Sequence, residues 1–311
     1  MQTVFIDGQA GTTGLEITQR LASRSDIELL YLDDTERKDR DRRAECVRAA
    51  DVAILCLKDE LAIEAVEFAD GQTRIIDAST AFRTHPDWVY GLPELDSDQR
   101  AKIAAADYVS NPGCYPQGFI LFVRPLIDAG VLTPAQPLRC HAVSGYSGGG
   151  RAMIETQENY SEKERDCLNT QLYALSLEHK HVPEMQHYSG TQVTPIFSPT
   201  VANYYKGMLV QIAIFESELN GTIREAHSVL AERYADERFI HVHPLHDMSM
   251  ASGGYLNPTT TNGTNNIELL SFGNDQQLLM VARYDNLGKG AAGAAVQNLN
   301  LMLGIEESTS L

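Results

Sequence analysis

The sequence predicts an α/β chain in two parts, a parallel doubly wound sheet followed by an α+β domain. Three observations carry this. The first hundred residues alternate short β-rich runs with amphipathic stretches, the pattern of successive βα units. A glycine-rich turn joins the first run to the first amphipathic stretch. From about Ala142 the alternation stops, and strand-like segments follow at irregular spacing between glycine-rich turns.

Taken in order, residues 3–6 make the first strand and 14–23 the first helix. Strands follow at 27–32, 52–57 and 74–77, with helices over 40–50 and 59–69 between them. The apolar run 118–123 belongs to a helix that starts behind a Pro112-Gly113 turn. Further strands are expected at 191–197, 207–214, 267–271 and 277–284, and the small residues of 294–303 suit a closely packed helix. Residues 1–113 with 286–311 are expected to form the nucleotide-binding domain, and 114–285 the catalytic, substrate and oligomerisation domain. Residues 306–311 read as a frayed tail.

Composition narrows the class of function. A net charge of −17, from 25 basic and 42 acidic side chains, opposes nucleic acid and anionic membrane surfaces as partners. No apolar segment approaches the ~20 residues of a membrane span, and the start lacks the pattern of a signal peptide, so a soluble cytoplasmic protein is expected. Five cysteines without a Cys-x-x-Cys pair give neither a disulfide framework nor a cysteine zinc site. His179 and His181 lack an obvious third ligand, so no metal is expected.

Four motifs carry chemistry. In Gly8-Gln9-Ala10-Gly11-Thr12-Thr13-Gly14, glycine lets the backbone turn sharply toward a pyrophosphate at the next helix N-terminus. Asp33 and Asp34, about twenty residues on, suit an adenine ribose and point to NAD, whereas Arg37, Lys38 and Arg40 suit the extra phosphate of NADP. Cys114, in Asn111-Pro112-Gly113-Cys114-Tyr115-Pro116, lies at a helix start, where unpaired N–H groups and the dipole favour a thiolate and hold an oxyanion. A thiolate beside a nicotinamide fits acyl-phosphate chemistry: sulfur displaces phosphate, and hydride reduces the thioester. His179 is the first choice for acid/base work and His181 the second, with Glu184 placed to orient an imidazole. Ser144-Gly145-Tyr146-Ser147-Gly148-Gly149-Gly150-Arg151 offers hydroxyls, N–H groups and a guanidinium to a phosphate, and Arg83 is either structural or ligand-facing.

These segments, with Asp77-Ala78-Ser79-Thr80-Ala81-Phe82-Arg83, Tyr90-Gly91-Leu92-Pro93-Glu94-Leu95, His179-Lys180-His181-Val182-Pro183-Glu184 and Asn286-Leu287-Gly288-Lys289-Gly290-Ala291, resemble the N-acetyl-γ-glutamyl-phosphate reductase family. That family is the arginine-pathway branch of the semialdehyde dehydrogenases, and the likeness is to its shorter subtype. The resemblance spans nearly the whole chain. It implies a Rossmann domain plus a glyceraldehyde-phosphate-dehydrogenase-like domain, in a cytoplasmic homo-oligomer, dimer or tetramer. It implies Cys114 as nucleophile, an acid/base histidine from the pair, NADP(H) as cofactor and a small acyl phosphate as substrate. The expected cofactor contacts are Gly8, Ala10, Gly11, Thr12, Thr13, Gly14, Cys56, Ser79 and Asn286; the expected phosphate contacts are Ser144, Ser147, Arg83 and Arg151. Aspartyl phosphate, a carrier-bound aminoadipyl phosphate and a non-catalytic dinucleotide sensor are the alternatives.

Overall fold

The computed structural model describes residues 1–311 and divides into two compact units, Met1–Gly113 with Ala291–Leu311, and Cys114–Gly290. The first unit contains β1 (Gln2–Asp7), α1 (Thr12–Leu21), β2 (Ile27–Leu30), α2 (Arg40–Ala49), β3 (Val52–Leu55), α3 (Asp59–Phe68), β4 (Arg74–Asp77), β5 (Val89–Tyr90), α4 (Gln99–Ala105) and β6 (Tyr108–Ser110). The second contains α5 (Cys114–Asp128), β7 (Arg139–Gly145), α6 (Gly150–Glu158), α7 (Glu162–Cys167), β8 (Thr170–Leu172), α8 (Val182–Ser189), β9 (Ile196–Ala202), β10 (Met208–Phe215), α9 (Ile223–Arg233), β11 (Ile240–Val242), β12 (Ile267–Gly273) and β13 (Gln277–Tyr284). The last helix, α10 (Gly293–Met302), lies in the first unit. Asn286–Gly290 stay with the second unit, so the chain leaves it five residues later than the sequence suggested.

The first unit's strands are all parallel, in the order β2-β1-β3-β4-β6-β5. Alternate residues of each strand serve opposite faces. Val4, Ile6, Val52 and Ile54 pack with Ile17 and Leu21 of α1 and Ala295, Val296 and Leu299 of α10. Phe5, Ala53 and Leu55 pack with Val47 of α2 and Ala62, Ala65 and Phe68 of α3. Period-two side chains therefore fill two cores at once, which is why these strands read as continuous apolar runs. The strand order reverses between β1 and its neighbours, so the turn after β1 opens at the switch point where such sheets take ligands.

In the second unit a seven-stranded mixed sheet runs β11-β12-β13-β10-β7-β9-β8. Helix α5 lies on it because Gly118 has no side chain: a Cβ there would stand 2.9 Å from Ala282 Cβ and 3.0 Å from Val210 Cβ. No helix of the chain is long and apolar enough to cross a membrane.

Two expectations are corrected. The strand placed at 191–197 starts at Ile196, opposite Arg139, and runs to Ala202; the preceding Pro195 has no N–H to give a ladder, and Thr191 is held by Ser189 Oγ. The closing residues are not frayed. Gln297 donates to Glu307, Asn300 donates to the carbonyls of Glu307 and Thr309, and Arg100 pairs with Glu307 at 2.9 Å.

Candidate active site

The chain passes from the first unit to the second between Gly113 and Cys114, and Cys114 is the first residue of α5. On the first unit's side, Asn111 N donates to Asp77 O, the Asn111 amide donates to Ala291 O, and Arg83 Nε donates to Asn111 O, each within 3.0 Å. A second guanidinium nitrogen of Arg83 donates to Ala78 O. Buried Arg83 thus braces the backbone that leads into the cysteine turn.

On the second unit's side the first turn of α5 contains an inserted hydroxyl. Tyr284 Oη donates to Cys114 O at 2.5 Å and accepts from Gly118 N at 3.2 Å, standing between two groups that an ideal helix would bond directly. Burial raises this tyrosine's pKa well above its ordinary value, so the hydroxyl keeps its proton for that bond. Gly290 permits the close approach beside the nucleophile, since a Cβ there would meet Cys114 Cβ at 3.1 Å. Half-buried Cys114 lies at the positive end of an apolar helix, where an anionic sulfur is favoured.

A cavity of about 210 Å³ opens at Cys114, and its wall includes Tyr173, His179, Lys180, His181, Gly148 and Gly149. His179 and His181 stand 4.8 Å apart between ring centroids, and His179 Nδ1 accepts from His181 N at 3.2 Å. With Nδ1 an acceptor, a neutral His179 carries its proton on Nε2. Burial, with a further push from the Lys180 charge, lowers its pKa to about 4, so the neutral ring is the form present at neutral pH. Tyr115, Tyr173 and Phe197 pack edge-on around it. Tyr173 Oη donates to Tyr115 Oη at 3.0 Å. Glu184 is buried in the first turn of α8, where its charge adds to the burial that raises Tyr188 and Tyr284.

The serine-glycine segment is not the open cradle its composition suggests. Gly145 N, Tyr146 N and Ser147 N donate to the carbonyls of Gly207, Tyr204 and Tyr205, so these N–H groups are spent. A Cβ on Gly145 would lie 2.6 Å from Tyr205 O, which fixes glycine there. Ser144 and Ser147 are buried, and Asn286 Nδ2 donates to Ser147 Oγ while its Oδ1 accepts from Gly207 N. Arg151 is exposed and paired with Glu155 at 2.7 Å. None of Ser144, Ser147 and Arg151 lines the cavity.

The turn after β1 is a separate site in the first unit. Gly8 has φ +88°, and a Cβ on it would lie 2.3 Å from Cys56 O; one on Gly14 would lie 2.4 Å from Gly8 O. Both positions therefore demand glycine. Gly11 caps α1 without a side-chain bond, so the first N–H groups of Thr12, Thr13 and Gly14 are left to a ligand. Beneath the turn, Asp7 and Arg43 pair at 3.0 Å with Glu64 beyond. Arg37 pairs with Asp34 and Arg40 with Glu64, whereas Lys38 makes no ion pair. A glycine cradle of this shape, closed by backbone rather than side chains, fits a dinucleotide pyrophosphate.

A family model described as the semialdehyde dehydrogenase NAD binding domain matches residues 3–103, and one described as the semialdehyde dehydrogenase dimerisation domain matches 114–286. A Nostoc protein named N-acetyl-gamma-glutamyl-phosphate reductase 2 is 48% identical over 319 residues, covering 99% of this chain and 98% of the relative. The chain belongs to the N-acetyl-gamma-glutamyl-phosphate reductase branch of the semialdehyde dehydrogenase family. Another reductase of that name, from Brucella anthropi, is 48% identical and covers 97% of this chain and 98% of its own. Among solved structures, aspartate semialdehyde dehydrogenase II from Vibrio cholerae superposes with a TM-score of 0.72 at 15% identity, covering 98% of each chain, a likeness of fold.

Of the residues singled out from this semialdehyde dehydrogenase sequence, the structure gathers Cys114, His179 and His181 around one cavity. Gly8, Ala10, Gly11, Thr12, Thr13 and Gly14 make the turn after β1, and Cys56 contributes its carbonyl to the floor of that turn. Ser79 Oγ donates to Asp77, whose burial raises its carboxyl to about 6. Asn286, expected at the cofactor, commits its amide to Gly207 and Ser147. Tyr284 and Lys180 were not singled out. The first gives no local signal, and the second reads only as a cation flanked by two histidines, without a role of its own.

Proposed function

We propose that this protein reduces N-acetyl-γ-glutamyl phosphate to N-acetylglutamate 5-semialdehyde and phosphate through a thioester on Cys114. One observation carries the reading: a cysteine at a helix N-terminus opens into a cavity shared with two histidines and a lysine. The reductase name of near-full-length relatives selects the acyl group. The Gly8–Gly14 turn would hold NADPH, which when bound would supply the hydride that reduces the thioester.

The Cys114 sulfur attacks the acyl carbon, and the carbon–oxygen bond to phosphate breaks with its electron pair on the leaving oxygen. His179 Nε2–H donates to the acyl oxygen as negative charge gathers there, a neutral imidazole acting as electrophile rather than as a stored acid. One proton is consumed overall and ends on phosphate; His181, on the same cavity wall, carries it. After reduction the oxyanion collapses, releasing the aldehyde and the thiolate. The tyrosine bond to Cys114 O keeps the first turn of α5 in register throughout.

The protein is cytoplasmic and works as a homo-oligomer through the second unit, the part matched by a dimerisation-domain model. The reverse reaction tests the substrate assignment. N-acetylglutamate semialdehyde, phosphate and NADP+ are expected to generate NADPH, whereas aspartate semialdehyde gives little; the opposite preference contradicts it.

A further inference from the structure

Lys180 is the one lysine or arginine among the residues lining the cavity at Cys114; it is exposed and makes no ion pair. No carboxylate lines that cavity. The cationic candidates singled out from the sequence are committed elsewhere: Arg151 to Glu155 on the surface of α6, and Arg83 to carbonyls in the first unit. The N–H groups of the serine-glycine segment at Gly145, Tyr146 and Ser147 are bonded internally. An anion entering this cavity therefore meets a single uncompensated cation, flanked in sequence by the two imidazoles.

We propose that Lys180 holds the phosphoryl group of the acyl phosphate and offsets its charge as it departs, an assignment that builds on the reductase reading. A lysine ammonium with three rotatable donors suits a group that moves away from the carbon during the step. Burial keeps the neighbouring His179 neutral, and the same charge adds to it. Around that ring stand Cys114 and Tyr115 from α5, Tyr173 after β8, His181 at the start of α8 and Phe197 of β9, so Lys180 is the fixed charge that adds to burial in lowering its pKa.

The experiment needs no turnover. The full chain is alkylated with iodoacetamide in the presence of increasing inorganic phosphate, and modification of the Cys114 peptide is followed by mass spectrometry, which leaves exposed Cys167 out of the measurement. Phosphate is expected to protect Cys114 in the wild type. Lys180→Met raises the half-protecting concentration about 10- to 100-fold, the size of a lost charge-assisted hydrogen bond, and Lys180→Arg stays within about threefold. In Lys180→Met the His179 pKa, followed by NMR, rises by the lost Lys180 contribution alone, and Lys180→Arg, which keeps the charge, leaves it in place and so separates loss of charge from general damage to the fold. N-acetylglutamate, which carries carboxylates and no phosphate, serves as the second probe. Unchanged phosphate protection in Lys180→Met, no protection in the wild type, or a loss confined to N-acetylglutamate overturns the assignment. Failure of the reverse reaction would remove the reductase reading while leaving this binding result to be judged by itself.

Discussion

The turn after β1 and the cavity at Cys114 solve different problems. The first is built from seven consecutive residues, and its shape is enforced by backbone: carbonyls of Cys56 and Gly8 stand where any side chain on Gly8 or Gly14 would have to go. The second is assembled from α5, the loop after β7, the loop after β8 and the start of α8, and depends on which side chains remain uncommitted once the others have bonded. A contiguous, backbone-made site is written in its own motif. A site gathered from distant segments is defined by its partners.

That contrast can be broken by substitution. Cys114→Ser should lower turnover by about four orders of magnitude or more while leaving dinucleotide affinity within about twofold, because it removes the covalent step and nothing from the first unit. A Cys114→Ser protein with near-normal phosphate-dependent turnover would dissolve the distinction. Gly8→Ala should act in the reverse sense, weakening dinucleotide binding by about 100-fold or unfolding the turn, since the new Cβ meets Cys56 O at 2.3 Å; calorimetry with NADPH reads the first and thermal melting the second. Tyr284→Phe leaves Cys114 O and Gly118 N without their shared hydroxyl and should cost about 1–3 kcal/mol in urea unfolding.

The two regions also differ in sign toward acid. His179 falls from 6.5 to about 4 on folding, so its contribution to stability is complete above about 6.5 and is lost as pH falls toward 4. Asp77, in the first unit, rises from 3.8 to about 6, so its burial costs stability progressively as pH climbs through that window. NMR titration of the two side chains should give these separate midpoints, with His179 protonated near 4 and Asp77 ionised near 6. At the small end, Arg151→Ala removes an exposed i,i+4 pair and should change stability by no more than about 0.5 kcal/mol and leave KM unaltered; a large rise in KM would return Arg151 to the substrate site.

Much of the first unit was legible because its signals are local. Continuous apolar runs mark β1 and β3, and glycines mark the turn after β1. Cys114 was legible because a Pro-Gly turn and an apolar run announce a helix start around a single thiol. β7 was harder: Cys140, Ala142 and Ser144 alternate inward, yet the strand runs straight into a glycine segment that reads as loop. The phosphate cradle was misjudged because composition counts N–H groups without knowing that Tyr204, Tyr205 and Gly207 consume them. Lys180 and Tyr284 depend on contacts between segments more than a hundred residues apart in the case of Tyr284 and Cys114, which no spacing rule reports. The tail looked loose by composition and is tied by Gln297, Asn300 and Arg100.

Covalent capture tests the account most directly. The enzyme, mixed with N-acetyl-γ-glutamyl phosphate in the absence of NADPH, should release phosphate once and hold an N-acetylglutamyl group on the peptide containing Cys114, discharged when NADPH is added. Turnover of that substrate with no acyl group ever recovered on Cys114 would contradict it.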